Sequence, residues 1–249
     1  MKYGICPLGV VSVRVDKQHE APQSSQLLYG EIFKVLERHR HWSKIRMAHD
    51  AHEGWIENLQ YHEISEDDHQ LLTVQPEELT YDLVSHVSLK NHMLMPIVMG
   101  SRVDGCAFLG HVFEGHAKQS EKNLKGVVDS ALHYLNAPFL HGGRTPFGID
   151  AAGFVQMAYR TNGFDLKRDV EAQSLHGYPL SFIEESEPGD LAFFDNKDGV
   201  IDHVGIILPE NHIIHVYGKV RIDRLDHTGI FNSETNRYTH SLRVIKKMA

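Results

Sequence analysis

Residues 134–164 read YLNAPFLHGGRTPFGIDAAGFVQMAYRTNGF, a turn-rich half followed by a helical one. Pro138, Gly142-Gly143, Pro146 and Gly148 punctuate its first half, which therefore turns rather than forming a long regular element. Asp150 then offers a side-chain oxygen as an N-cap, and Phe154, Val155, Ala158 and Tyr159 recur at helical spacing, predicting a helix over residues 151–161. The start of a helix carries free N–H groups and partial positive charge, which stabilise a thiolate or an oxyanion.

Working outward, Val127, Val128, Ala131, Leu132 and Leu135 predict a preceding helix that ends at Asn136-Ala137-Pro138. Beyond Pro188-Gly189-Asp190, apolar runs predict strands at 191–194, 200–208, 213–216 and 219–222. Helices followed by antiparallel strands make an α+β domain. His203 and His215 fall in consecutive strands. If these form a hairpin around 209–212, an even-sum register puts both imidazoles on one face, opposite or diagonal; an odd register separates them. A helix N-terminus facing a histidine that a second polar residue orients is the layout of a cysteine peptidase.

Towards the N-terminus the pattern changes to short strands, at 9–15, 33–37, 42–47 and 54–56 with a turn-containing segment at 27–31. Their separation by Gly, Asp, Asn and His clusters predicts a small barrel over residues 1–65. Trp42 and Trp55 fill its core or rim, or stack on a ligand. Residues 66–120 read as a polar linker followed by a second small β module, with strands near 95–100 and 107–115.

Composition narrows the function. With 33 acidic and 25 basic residues the formal charge is -8, which argues against a general nucleic-acid binder. The two cysteines, Cys6 and Cys106, exclude a disulfide scaffold and a cysteine-rich zinc module, and read as small buried hydrophobes. The longest apolar run, 93–99, contains Pro96 and is far short of the roughly 20 residues that span a membrane. The opening residues lack the apolar region of a secretory signal, so a cytoplasmic location without membrane partners is expected. Histidine, at 19 residues, is abundant, but informative only where several converge.

The 134–164 segment, with LKRD (166–169), PGDLAFF (188–194), IDHVGIIL (201–208) and IIHVYGKVRID (213–223), resembles the NlpC-type cysteine peptidase family over residues 121–249. VSVRVD (11–16), LLYGEIFKVLE (27–37), HWSKIRM (41–47) and EGWIENLQY (53–61) resemble a bacterial SH3-like domain. The resemblance implies a papain-like α+β fold and enzymes that cut the γ-D-glutamyl–diamino acid bond of cell-wall peptides, including cytoplasmic ones that recycle murein peptides. In that family the helix opens Asp-Cys-Ser-Gly and the Cys is the nucleophile; here the residues are Asp150-Ala151-Ala152-Gly153. The resemblance implies His203 as general base and His215 as the residue that orients it. Ala152 replaces a Ser that helps hold substrate, Phe139-Leu140-His141 stands where relatives have Tyr-x-Trp, and Val170 occupies a position that is often Ser. Asp169 alone is kept, resembling an acid that binds a substrate's free amine.

A single Cys-to-Ala exchange accounts for Ala151 but not for Ala152, Phe139, His141 and Val170 together. A naturally non-catalytic relative accounts for all five, so a pseudoenzyme that binds a cell-wall-derived peptide, a glycan fragment or a protein partner is expected. The alternatives are an active γ-D-glutamyl–diamino acid endopeptidase inactivated by that one exchange, and a structural interaction module. No cofactor is expected. His141, His203 and His215 together have the composition of a zinc set, against the plainer expectation that His203 and His215 keep a hydrogen-bonded pair, that His141 points to solvent and that no metal binds.

Overall fold

The computed structural model describes residues 2–119 and 121–248; Ser120, the last residue of the expected second β module, lies outside the described residues. The chain folds as two compact units, one of residues 1–121 with 141–146, the other of 122–140 with 147–249.

The first unit is built on a seven-stranded antiparallel sheet in the order Gln23–Leu28, Val10–Arg14, Glu53–Glu57, Trp42–Met47, Ile32–Arg38, Lys2–Ile5, His62–Ile64. Alternation places Val11 and Val13, Phe33 and Val35, and Ile45 and Met47 in one core with Cys6 and Tyr61. Both tryptophans sit at the rim: Lys17 lies over the largely buried Trp55 ring at 5.2 Å, and His19 meets the half-buried Trp42 edge-on at 5.2 Å.

The same unit corrects two readings of residues 66–120. The supposed linker is a helix, Glu66–Val74, because the Ser65 hydroxyl caps it through the Asp68 N–H and three acidic residues fill its first turn. Residues 107–109 are not extended but belong to the helical turn Cys106–Leu109, which Gly110 ends in the left-handed conformation at φ 67°. The strands that do form are Leu94–Val98, Val84–Ser88 and Val112–Phe113 in one sheet, and Glu78–Thr80 with Ala117–Gln119 in another. Buried Arg144 donates to Glu31 at 2.9 and 3.0 Å and to the Gln26 carbonyl at 2.7 Å. Burial would raise the nearby Asp50 carboxyl, but His49 and Arg144 hold it far below the usual carboxylate range.

In the second unit the helices Gly126–His133, Ala151–Arg160 and Val170–Ser174 precede an antiparallel sheet. Its strands Leu191–Asp195, Ile201–Leu208, His212–Tyr217, Lys219–Leu225, Gly229–Asn232 and Arg237–Lys247 pair in sequence, and the last also pairs with the first, closing a barrel. Tyr178–Leu180 adds to the Arg237–Lys247 strand. Ala192, Phe194, Ile207, Ile213, Leu225, Ile230 and Ile245 make one apolar cluster. Every residue from Ala152 to Arg160 is buried, and this helix packs on the Ile201–Leu208 and His212–Tyr217 strands. Among the described residues no helix is long and apolar enough to cross a membrane.

Candidate active site

Asp150 starts the central helix as expected: its Oδ1 accepts the Gly153 N–H at 2.7 Å, and its Oδ2 accepts from Arg168 at 2.7 Å. The first helical residue, Ala151, is half-buried and Ala152 is buried. Gln173 ties the helix start to its surroundings by donating to the Ala152 carbonyl at 3.0 Å and the Lys167 carbonyl at 2.8 Å. A bridge from Phe139 to Ile149 sets the Phe139 backbone beside the residue that precedes the cap, with the Phe139 ring 52% exposed. Asp169 is exposed and caps the Val170–Ser174 helix through the Ala172 N–H at 2.8 Å, so Val170 is the first residue of that helix.

The hairpin register has an even sum. Gly205 lies opposite His215, which puts His203 diagonal to His215 on the same face. The two rings meet, His203 Nε2 to His215 Nδ1 at 2.9 Å, and His215 Nε2 reaches Asp223 Oδ2 at 3.1 Å. Asp223 also accepts from Arg221 at 2.8 and 3.1 Å and from Asn232 at 3.4 Å. All three relay side chains are buried.

Charge fixes the protons along this chain. Burial raises the Asp223 carboxyl, but hydrogen bonds from His215 and Arg221 bring it below its ordinary value, so it is an acceptor. His215 must then donate through Nε2, which leaves its Nδ1 as an acceptor for the Nε2–H of His203. The lone pair of His203 is thereby placed on Nδ1, the tautomer that a general base needs. Burial, reinforced by His240 and His215, pushes His203 well below the usual histidine range. Burial likewise lowers His215, against the opposing pull of Asp223.

Asp223 and His240 were not among the sequence candidates. Asp223 was legible: the next hairpin turns at Gly218 and pairs His215 with Arg221, so the same diagonal rule points to Asp223. His240 stacks on His203 at 3.9 Å between ring centroids from the distant Arg237–Lys247 strand, and no local pattern announces it. The imidazole trio that converges is therefore His203, His215 and His240. His141, the third ring of the expected set, is not part of it and belongs to the first unit.

His203 is thus held through His215 by Asp223, while the helix N-terminus in the same unit carries a methyl group at Ala151. A methyl cannot attack a carbonyl. Both cysteines lie buried in the first unit, and burial pushes their thiols up, away from the reactive thiolate.

Comparison with known proteins agrees with this architecture. Residues 136–239 match the NlpC/P60 family and residues 13–60 match the bacterial dipeptidyl-peptidase Sh3 domain. The gamma-D-glutamyl-L-lysine dipeptidyl-peptidase of Bacillus subtilis is 24% identical over 213 residues, 77% of this chain and 71% of that protein. Dipeptidyl-peptidase 6 of Lysinibacillus sphaericus is 34% identical over 121 residues, 47% of this chain but only 40% of that protein. The crystal structure of an NlpC/P60 family protein from Bacillus cereus superposes with a TM-score of 0.81 at 15% identity, covering 98% of this chain and 99% of that one, and so shares its fold. The chain carries a papain-like NlpC/P60 domain behind a bacterial Sh3 domain.

Proposed function

We propose that this protein binds a cell-wall-derived peptide without cleaving it, as a non-catalytic relative of γ-D-glutamyl–diamino acid peptidases. The observation that carries the reading is Ala151 at the helix start where the family's nucleophile stands. Without a thiolate the acyl-enzyme route is closed, and His203 with the helix N-terminus could at best orient water, which supports only residual rates. The exposed Phe139 ring and the exposed Asp169 carboxylate offer an apolar contact and a counter-charge for a free amine. The named activity of the relatives, on γ-D-glutamyl-L-lysine, suggests the ligand class.

One observation favours a second reading. The His203–His215–Asp223 relay is complete, as it would be in an active endopeptidase that had lost only its nucleophile. The two readings separate in one experiment: incubate wild type and Ala151→Cys with L-Ala-γ-D-Glu-L-Lys and follow products by mass spectrometry. The proposal expects no product from wild type and at most slow cleavage by Ala151→Cys, because Ala152, Phe139, His141 and Val170 remain. Wild-type turnover that disappears in His203→Ala overturns it. Full cleavage on restoring the thiol establishes the second reading.

A further inference from the structure

We propose that the outer face of the barrel in the second unit carries a saccharide platform, the side-chain row His212, Arg224, Phe231 and Tyr238, which takes an oligosaccharide of about two or three pyranose rings. Strand register sets the row. His212 pairs with Arg224, Arg224 with Phe231 and Phe231 with Tyr238, so adjacent strands each present one of these side chains to the same face. Their chain neighbours Ile213, Leu225 and Ile230 belong to the apolar cluster inside, which turns the row outward. Asp223 alternates with Arg224 in the same way, so the histidine relay faces the opposite side. Three strand spacings make the row about 14 Å long, and a pyranose ring in an extended chain advances by nearly one such spacing.

The chemistry of the row is that of sugar recognition. It walls a surface pocket of about 540 Å³, whose rim is the turn at Glu210 and Asn211, both left-handed at φ 58° and 56°. Phe231 and the exposed Tyr238 meet edge to face, 5.3 Å between centroids and 68° between planes, and offer an aromatic surface to the C–H face of a pyranose. Tyr238 is held in place: its hydroxyl donates to Asp226 Oδ2 at 2.5 Å, while Asp226 Oδ1 accepts the Thr228 and Gly229 N–H groups at 2.7 and 3.2 Å. The turn is fixed as well, because the Leu225 N–H donates to the Asn211 carbonyl at 2.8 Å. A platform ordered before binding loses little freedom when it binds. Among the described residues, the side chains of Glu210, Asn211, His212 and Arg224 have no hydrogen-bond or ion-pair partner. Together they supply both donors and acceptors around the aromatic pair, as a ring of hydroxyls requires.

Other occupants fit less well. Glu210 and Asp226 offset Arg224, so a polyanion gains nothing there. The strands His212–Tyr217, Lys219–Leu225 and Gly229–Asn232 each have paired neighbours on both sides, leaving no edge to which a peptide could add as a strand. The inference goes beyond the peptide reading and stands without it, since its probes contain no peptide.

The test is NMR titration of the isotopically labelled full chain with two saccharides, tri-N-acetylchitotriose and cellotriose. The proposal expects saturable amide shifts at residues 210–212, 224–226, 231 and 238, with a Kd on the order of 1 mM or tighter. Response to the first sugar alone assigns an N-acetylated amino sugar, and response to both assigns the pyranose rings themselves. Tyr238→Ala and Arg224→Ala should each weaken binding about tenfold, through lost apolar contact and lost hydrogen bonds respectively. Trp42→Ala, which removes an aromatic ring of the first unit, should leave binding unchanged. No shift with either sugar up to about 10 mM overturns the proposal, as do shifts centred on Trp42 or equal affinity in Tyr238→Ala and Arg224→Ala. Should a variant misfold, the wild-type shift map decides by itself.

Discussion

At position 151 a methyl group begins a helix that keeps its Asp150 cap, and the strand it packs on carries His203, hydrogen-bonded to His215. A thiol restored there would find the free N–H groups and partial charge that lower thiol pKa. The cysteine of Ala151→Cys should therefore titrate at least about 2 units below the ordinary 8.5. Iodoacetamide alkylation against pH reads this directly, since buried Cys6 and Cys106 stay silent. Alkylation with an ordinary thiol profile would show that the helix start no longer activates a nucleophile. The histidines carry a second consequence. Burial lowers His203, His215 and His240, the last to about 4, so the unfolded chain binds protons more readily than the folded one. Their contribution to stability is complete above the unfolded value near 6.5 and drains away as pH falls towards 4. His240 is partly exposed, and its share, trimmed for solvent screening, is about 2 kcal/mol. Urea unfolding across this window should be flatter for His240→Leu than for wild type; parallel curves would remove His240 from the acid response.

Single elements set this geometry, and their positions test it. Asp150→Ala loses the cap on Gly153 and leaves buried Arg168 without that carboxylate, at an expected cost of about 2 kcal/mol in urea unfolding. An unchanged midpoint would mean that water replaces the cap at no cost. Gly205 gives His215 its room: a Cβ there would stand 2.9 Å from the His215 Cβ and 2.7 Å from Ile213 Cδ1. Gly205→Ala should cost about 1–3 kcal/mol and displace the imidazole resonances of His203 and His215 in NMR. Unmoved resonances would show that the strand yields without touching the relay. The pairing of the two histidines was legible because strand parity is a local rule, and the observed pairing of Gly205 with His215 follows it. Asp223 lies just past the expected 219–222 strand, which in the structure runs three residues further, to Leu225. His240 was not legible at all, since closure of the barrel, not spacing, brings its strand alongside. The Glu66–Val74 helix was misread because three acidic residues resemble a linker unless Ser65 is recognised as their cap.

On the scale of the whole chain, both ends of the sequence pointed to their folds through ordinary signals, alternating short strands before residue 65 and helix-then-strand order after 121. What no pattern announced is that residues 141–146 belong to the first unit. Their anchor is Arg144, fully buried against Glu31, and a lone Arg between Gly143 and Thr145 reads as a solvated turn. Arg144→Met should destabilise the protein by about 3–5 kcal/mol, because it strands a buried carboxylate. Thermal unfolding within 1 kcal/mol of wild type, a margin small against that range, would mean that Glu31 takes up a proton instead. For the molecule entire, we propose a peptidase fold kept for binding. Its most direct test is calorimetric titration of L-Ala-γ-D-Glu-L-Lys into wild type, with the cell contents analysed afterwards for cleavage. Saturable binding to intact peptide is the predicted result; cleaved peptide, or no binding at any accessible concentration, would contradict it.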